Sequence, residues 1–122
     1  PRHIISNGKY LFASLSSPEK IVRLGQDSLK VLQTASTKDD PRTIALSADN
    51  KFLFSVSYAD DLLEVLDSKT LKVLRTEKSS HKPVGVTVFQ KADTIEAWVG
   101  NYSSSNLSIF TYKVFYEPFL IE

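Results

Sequence analysis

The chain has no cysteine among its 122 residues. That excludes disulfides, thiolate metal sites, c-type haem attachment and any thiol nucleophile, while leaving the redox compartment open. Methionine is also absent, which fits a segment lacking its natural start. The four glycines, Gly8, Gly25, Gly85 and Gly100, are too scattered for a phosphate-cradling loop or a dinucleotide fingerprint. There is no nucleophile-elbow pentapeptide and no H-E-x-x-H. No apolar run approaches the length that spans a bilayer and no signal-peptide pattern opens the chain, so membrane insertion is not expected. Charge of one sign is missing too. With 15 basic and 14 acidic residues there is no global field to recruit nucleic acid, and nucleic acid is not favoured as a partner.

What is present is a repeat. Lys9 falls 42 positions before Lys51, and the same step carries Leu29-Lys30-Val31-Leu32 onto Leu71-Lys72-Val73-Leu74. Pro1-Arg2 and Pro41-Arg42 open the first two copies, and Pro83 opens the third. An offset of 44 takes Phe54 to Trp98, Tyr58 to Tyr102, Leu63 to Leu107 and Val65 to Ile109 without a gap. A period of roughly 40–45 residues holding four strand-like runs is the mark of a propeller blade. The reading is therefore all-β: three consecutive four-stranded antiparallel blades, spanning 1–40, 41–82 and 83–122 of a single propeller segment, with almost no helix.

Each copy supports this locally. In the first, Asn7-Gly8 is a hairpin signal between Ile4-Ile5 and Tyr10–Ala13, Ile21–Leu24 reads as a third strand, and Leu29–Thr34 as a fourth. The second is the cleanest. Phe52, Phe54 and Val56 alternate with Leu53, Ser55 and Ser57, the period of a pleated strand. Leu62–Leu66 is apolar on both faces apart from Glu64, as expected of a strand sandwiched between blades. Asp67–Thr70 then turns the chain into Leu71–Thr76. In the third copy, where a polar turn is due after Thr111, the chain runs on through aromatic residues to Phe119, a tail expected to form the blade's outer strand.

The stretches Phe54–Asp67 and Trp98–Thr111 resemble the YVTN repeat of β-propellers, and Leu46-Ser47-Ala48-Asp49-Asn50-Lys51 resembles the turn that precedes it. The resemblance implies blades whose first strands line a central channel. It also implies that the connectors before each opening proline share one rim with the loops between second and third strands. Members of that family usually close with about seven blades and many are periplasmic, secreted or cell-surface proteins. Three blades leave two open flanks, so the expected partners are the remaining blades of a larger propeller or a second copy of the chain.

The residues that carry chemistry are few. His3 lies in a first strand and His81 in a connector, at different repeat positions, so each reads as an ordinary polar histidine. Asp39-Asp40 and Asp60-Asp61 read as turn residues rather than a cation site, since oxygen sites for calcium need about six to eight ligands. No catalytic residue, metal or cofactor is expected. The positional coincidence is on the rim: Arg2 and Arg42 follow opening prolines, Tyr58 and Tyr102 occupy equivalent loop positions, and His81, Lys82 and Asn101 stand near them. Arginine and tyrosine dominate binding hot spots because they join apolar area to directional donors. These seven residues form the candidate site, and the leading reading is a non-enzymatic binding or scaffold segment for a protein, peptide or glycan. The alternative is part of a propeller enzyme, lactonase-like or quinoprotein-dehydrogenase-like, with its catalytic residues mostly outside this chain. Asn101-Tyr102-Ser103 and Asn106-Leu107-Ser108 satisfy the N-glycosylation pattern but coincide with the repeat signature.

Overall fold

Twelve strands fold into three four-stranded sheets, each an antiparallel meander in chain order. The structure is a computed structural model; it describes the backbone of residues 1–116 and 119–121 and the side chains of residues 1–114. The first sheet holds β1 (His3–Ser6), β2 (Tyr10–Ser16), β3 (Glu19–Gly25) and β4 (Val31–Ser36). The second holds β5 (Pro41–Leu46), β6 (Phe52–Ser57), β7 (Leu62–Asp67) and β8 (Val73–Lys78). The third holds β9 (Pro83–Lys91), β10 (Thr94–Asn101), β11 (Asn106–Tyr116) and β12 (Phe119–Ile121). No helix occurs among the described residues. The aromatic tail contributes the outer strand through its backbone, with Val114 opposite Ile121 and Tyr116 opposite Phe119. The side chains of Phe115, Tyr116 and Phe119 lie outside the described residues.

Left-handed backbone positions repeat along the chain as faithfully as the side chains do. Gly8 (φ 92°), Asn50 (φ 62°) and Ala92 (φ 54°) stand 42 residues apart at the turn between first and second strands. Leu29 and Leu71 share a φ near 60°, as do Asp40 with Lys82 and Asp61 with Ser105. The leucine pair explains why the fourth strands begin at Val31 and Val73, two residues later than the apolar pattern suggests. Leu71 closes a tight turn by donating its N–H to the Asp67 carbonyl (2.8 Å), while Asp67 Oδ1 accepts from the Lys69 and Thr70 amides. Ala92 is the member of its set that is neither glycine nor asparagine, the residues that tolerate this conformation best. A left-handed L-residue costs about 1–2 kcal/mol, which exceeds the extra chain entropy that glycine loses on folding. Ala92→Gly is therefore expected to raise the unfolding free energy by about 0.5–1 kcal/mol, read from the denaturant midpoint; a lowered midpoint would contradict it.

The core lies in the two seams between sheets. Phe12 and Ile21 of the first sheet meet Ile44, Leu53, Leu66 and Leu71 of the second. The opposite face of the second sheet, with Phe52, Phe54, Val56, Leu63 and Val65, meets Val86, Ile95, Ala97, Val99, Tyr112 and Val114. Every residue of β6 is buried, because its alternation feeds one seam with each face. Polar side chains stitch across the same seams. The Ile44 amide donates to His3 Nδ1 (3.0 Å) and Ser14 Oγ to the Arg42 carbonyl (2.7 Å). On the other side Thr43 Oγ1 donates to the Val84 carbonyl (2.6 Å), and Gln90 exchanges two bonds with Asp49. The Tyr112 hydroxyl donates to Glu77 Oε2 (2.9 Å), and burial, reinforced by that carboxylate, pushes the phenol far above its usual range.

Both outer faces of the set of sheets are open. On the third sheet, Trp98 stands across from Ile109 and Thr87, with Leu107 and Phe89 on the same face; Phe89, Trp98, Leu107 and Ile109 are all exposed. Their equivalents in the second sheet, Phe54, Leu63 and Val65, are 0% exposed. On the first sheet Ile4, Ala13, Leu15, Val22 and Leu24 line a groove of about 600 Å³. Where the second sheet places Ser55, Ser57 and Glu64, the first carries Ala13, Leu15 and Val22, so the open face is more apolar than its buried counterpart.

Candidate binding site

An antiparallel meander sends its odd turns to one end and its even turns to the other, which gives the sheets two rims. The turns β1–β2, β3–β4 and their equivalents form a turn-side rim. The β2–β3-type loops and the connectors between sheets form the other, and there the candidate residues gather.

Connectors and loops on that rim are laced into one continuous ladder. Thr37 N–H reaches the Glu19 carbonyl (3.4 Å), Tyr58 N–H the Asp40 carbonyl (3.0 Å), Ser79 N–H the Asp61 carbonyl (2.9 Å) and Tyr102 N–H the Lys82 carbonyl (2.8 Å). Carboxylates reinforce it. Asp60 Oδ2 accepts from the Asp39 amide and Asp61 Oδ1 from the Lys82 amide, each at 2.8 Å. Asp60 and Asp61 thus brace the backbone of the connectors, whereas the Asp40 carboxylate is turned to arginines, and no group of three or more potential ligands for a metal ion exists among the described residues.

Four of the candidate residues come together. Asp40 bridges Arg2 (3.3 Å) and Arg42 (3.1 Å), placing two guanidinium groups on one carboxylate. Arg42 stacks over the Tyr58 ring at 4.1 Å from its centre, and the Lys82 ammonium lies 5.1 Å from the same ring. Cations held over an aromatic face gain about 0.5–1 kcal/mol each at exposed sites, enough to orient the side chains without immobilising them. The cluster is assembled around strand entries: Arg2 precedes β1, Asp40 lies in the connector before β5, Arg42 is in β5, Tyr58 follows β6, and Lys82 lies in the connector before β9.

The other three candidates stand apart from that cluster. His81 Nδ1 lies 3.2 Å from Asp61 Oδ2, and its amide donates to Ser104 Oγ. The Lys82 amide, followed by His81, holds the Asp61 carboxyl below its usual range. Asp61 therefore contributes stability above the ordinary carboxylate range, lost as pH falls through its lowered value. Asn101 is buried rather than presented: its Nδ2 donates to Asn106 Oδ1 (3.1 Å) and Ser108 Oγ (2.9 Å), while its Oδ1 has no hydrogen-bond partner among the described residues. That burial closes Asn101 to a glycan, whereas Asn106 is exposed. Tyr102 is 70% exposed, unlike its half-buried equivalent Tyr58.

Beneath the rim sits a residue that the sequence marks only as a polar exception in a strand. Glu64 is 4% exposed on the face of β7 turned to the first sheet, accepting a hydrogen bond from the Lys38 amide at 3.2 Å. Its only signal in the sequence is a lone acid in an otherwise apolar strand. Burial pushes its carboxyl above the usual range, outweighing the Lys38 amide, which pulls the other way. The folded state then binds the proton more tightly than the unfolded state. Stability falls as pH rises from the ordinary glutamate range through the raised value, and the cost is complete above it. Glu64→Gln keeps the acceptor and removes the charge. It is expected to raise the melting temperature at neutral pH, with the gain shrinking as pH falls; an equal gain at every pH would rule out ionisation as the cause.

No family model and no curated protein matches the sequence. Solved structures do. Hydrazine synthase of Kuenenia stuttgartiensis is similar over 93% of this chain and 32% of its own, with a TM-score of 0.80 and 23% identity. A protein of Bacteroides uniformis provisionally assigned as a 6-phosphogluconolactonase is similar over 99% of this chain and 39% of its own (TM-score 0.70, 16% identity). The β-propeller domain of Cps50 (Swd1) from Myceliophteria thermophila covers 88% and 38% (TM-score 0.67, 11% identity). At these identities the likeness speaks for fold, and the three sheets are β-propeller blades. The chain spans about a third to two-fifths of the solved chains it matches.

Proposed function

We propose that this chain is a non-enzymatic binding segment of a β-propeller, of the YVTN-repeat type, that presents its connector-and-loop rim to a protein, peptide or glycan. The observation that carries this reading is the convergence of Arg2, Arg42, Tyr58 and Lys82 on one spot from the first two blades and the connector into the third. Accessible tyrosine and arginine on a rigid hydrogen-bonded base are what an interaction surface requires, because little conformational entropy is lost when a ligand settles on them. Tyr102 extends the same surface. Periplasmic, secreted or cell-surface placement goes with the YVTN resemblance.

The two open flanks are proposed to take further blades, either of a larger propeller or of a second copy. Apolar residues whose repeat equivalents are fully buried make poor solvent-facing surface and good seam. A second reading, part of an enzyme propeller, draws on neighbours named as enzymes. Against it, the ionisable groups of this rim are engaged with one another and with backbone amides.

Binding to peptide and glycan arrays tests the leading reading. Arg42→Ala and Tyr58→Ala are each expected to weaken a genuine rim ligand by about tenfold or more, with Tyr102→Ala following, as hot-spot truncations typically do. A specific ligand whose affinity all three changes leave untouched would place the site elsewhere.

A further inference from the structure

The turn-side rim carries a different feature. Between the first two blades a cleft of about 430 Å³ opens, with Tyr10, Phe12 and the three lysines Lys9, Lys51 and Lys69 among its lining residues. Its volume falls in the range of small-molecule sites, about 300–1,000 Å³. Asp67 is the one carboxylate in the lining, and its Oδ1 is already held by the Lys69 and Thr70 amides. Asp49, next in line, faces the third blade, where it accepts from Gln90 Nε2 as well as from the Lys51 amide and Ser47 Oγ. A fourth cation stands close to the Tyr10 ring of the lining. Arg23 lies 4.5 Å from the centre of the Tyr10 ring, which Lys9 also approaches at 5.3 Å.

The walls are fixed in place. Ser68 N–H donates to the Lys51 carbonyl (3.0 Å), Ser68 Oγ to the Asn50 carbonyl (2.6 Å) and Gln26 N–H to the Lys9 carbonyl (3.1 Å). Asn7 directs its Oδ1 to the Lys9 and Tyr10 amides, which turns its donor end away from them. Lys9 and Lys51 are repeat equivalents, so the cleft arises where two copies of one turn stand side by side across a seam. A recess in the protein surface weakens solvent screening and strengthens attraction for a negative group. The other rim, where Asp39, Asp40, Asp60 and Asp61 crowd together, offers nothing comparable.

We propose that this cleft binds a small organic anion through a phosphate or carboxylate group. The site is separate from the rim surface of the proposed function, and each stands or falls by itself. Its test is an amide-resolved NMR titration of the chain with inorganic phosphate, citrate and, as a neutral polyol, glucose. Saturable shifts are expected around Lys9, Lys51 and Lys69 with phosphate, citrate or both, and the responding anion identifies the group recognised. Affinity should fall at least tenfold in Lys9→Gln/Lys69→Gln, at an unchanged melting temperature, and should weaken as salt is raised. Should the double variant lose its fold, Lys69→Gln alone, at an exposed position, carries the comparison. Shifts that fail to saturate, that spread evenly over both rims, that survive the lysine changes or that glucose reproduces would overturn the proposal.

Discussion

Phe54→Ala is expected to lower the unfolding free energy by about 3–5 kcal/mol, as truncation of a fully enclosed aromatic ring in a core does. The ring is 0% exposed at the centre of the seam between the second and third blades, its centre 6.0 Å from that of Tyr112. Strand alternation puts it on the same face of β6 as Phe52 and Val56, in one cluster with Val99 and Val114 of the third blade. Apart from the Tyr112 hydroxyl, which is already bonded to Glu77, the side chains of that cluster are hydrocarbon, so the cavity left behind offers little to hold water. Domains of this size are stable by about 5–15 kcal/mol in total, so the loss is a large fraction of the whole. It should appear as a lower denaturant midpoint with an unchanged slope. Because the second blade is the one enclosed on both sides, hydrogen exchange should rise in β9 and β10 before it rises in β2 and β3. A loss under about 1 kcal/mol would mean that the seam closes over the gap, and the claim that it organises the fold would fail.

Trp98→Asp is expected to have the second large effect, and to have it on assembly rather than on this chain's own folding. Trp98 stands where the second blade has Phe54, but on an open flank, 38% exposed. Within these three blades it forms no part of either seam, so the substitution should move the melting temperature little. Once a further blade covers the flank, a carboxylate there faces an apolar seam without a partner, a situation that costs about 3–5 kcal/mol. That corresponds to an affinity loss of about 100-fold or more. Trp98 is also the sole tryptophan of the chain, so its fluorescence reports on this flank alone. Acrylamide should quench it readily when the flank is open. A blue shift with loss of quenching on assembly, absent in Trp98→Phe, would mark coverage. An assembly that forms equally well with the Trp98→Asp variant would remove the flank from the seam.

The propeller was legible in the sequence because its determinants are periodic: alternation in β6, apolar runs in β7 and the offsets linking Phe54 to Trp98 depend on neither distant contacts nor loop geometry. Strand ends were less legible. Leu29 and Leu71 look like strand residues by composition, yet their left-handed backbone belongs to the turn, and only the fold requires it. The rim illustrates the same division. Repeat position was enough to bring Arg42, Tyr58 and Lys82 to one end of the blades, whereas the Asp40 bridge between Arg2 and Arg42 depends on a backbone angle and on two blades meeting. Asn101 looked presented because its neighbour Tyr102 is; one step along a strand exchanges the two faces. Glu64 stood out as the lone acid of its strand, but its burial was not legible because that is decided by what packs against a strand, which composition does not state.

The ladder of backbone bonds across the rim has a consequence for modularity. The 58–61 loop hangs both on the connector before its blade, through Asp40, and on the connector after it, through Ser79 and Lys82. The portable unit of recognition is therefore larger than the loop. Transplanting residues 58–61 alone into another blade would carry the tyrosine without its scaffold. Moving the loop together with both connectors would carry an address that reads the same in its new position.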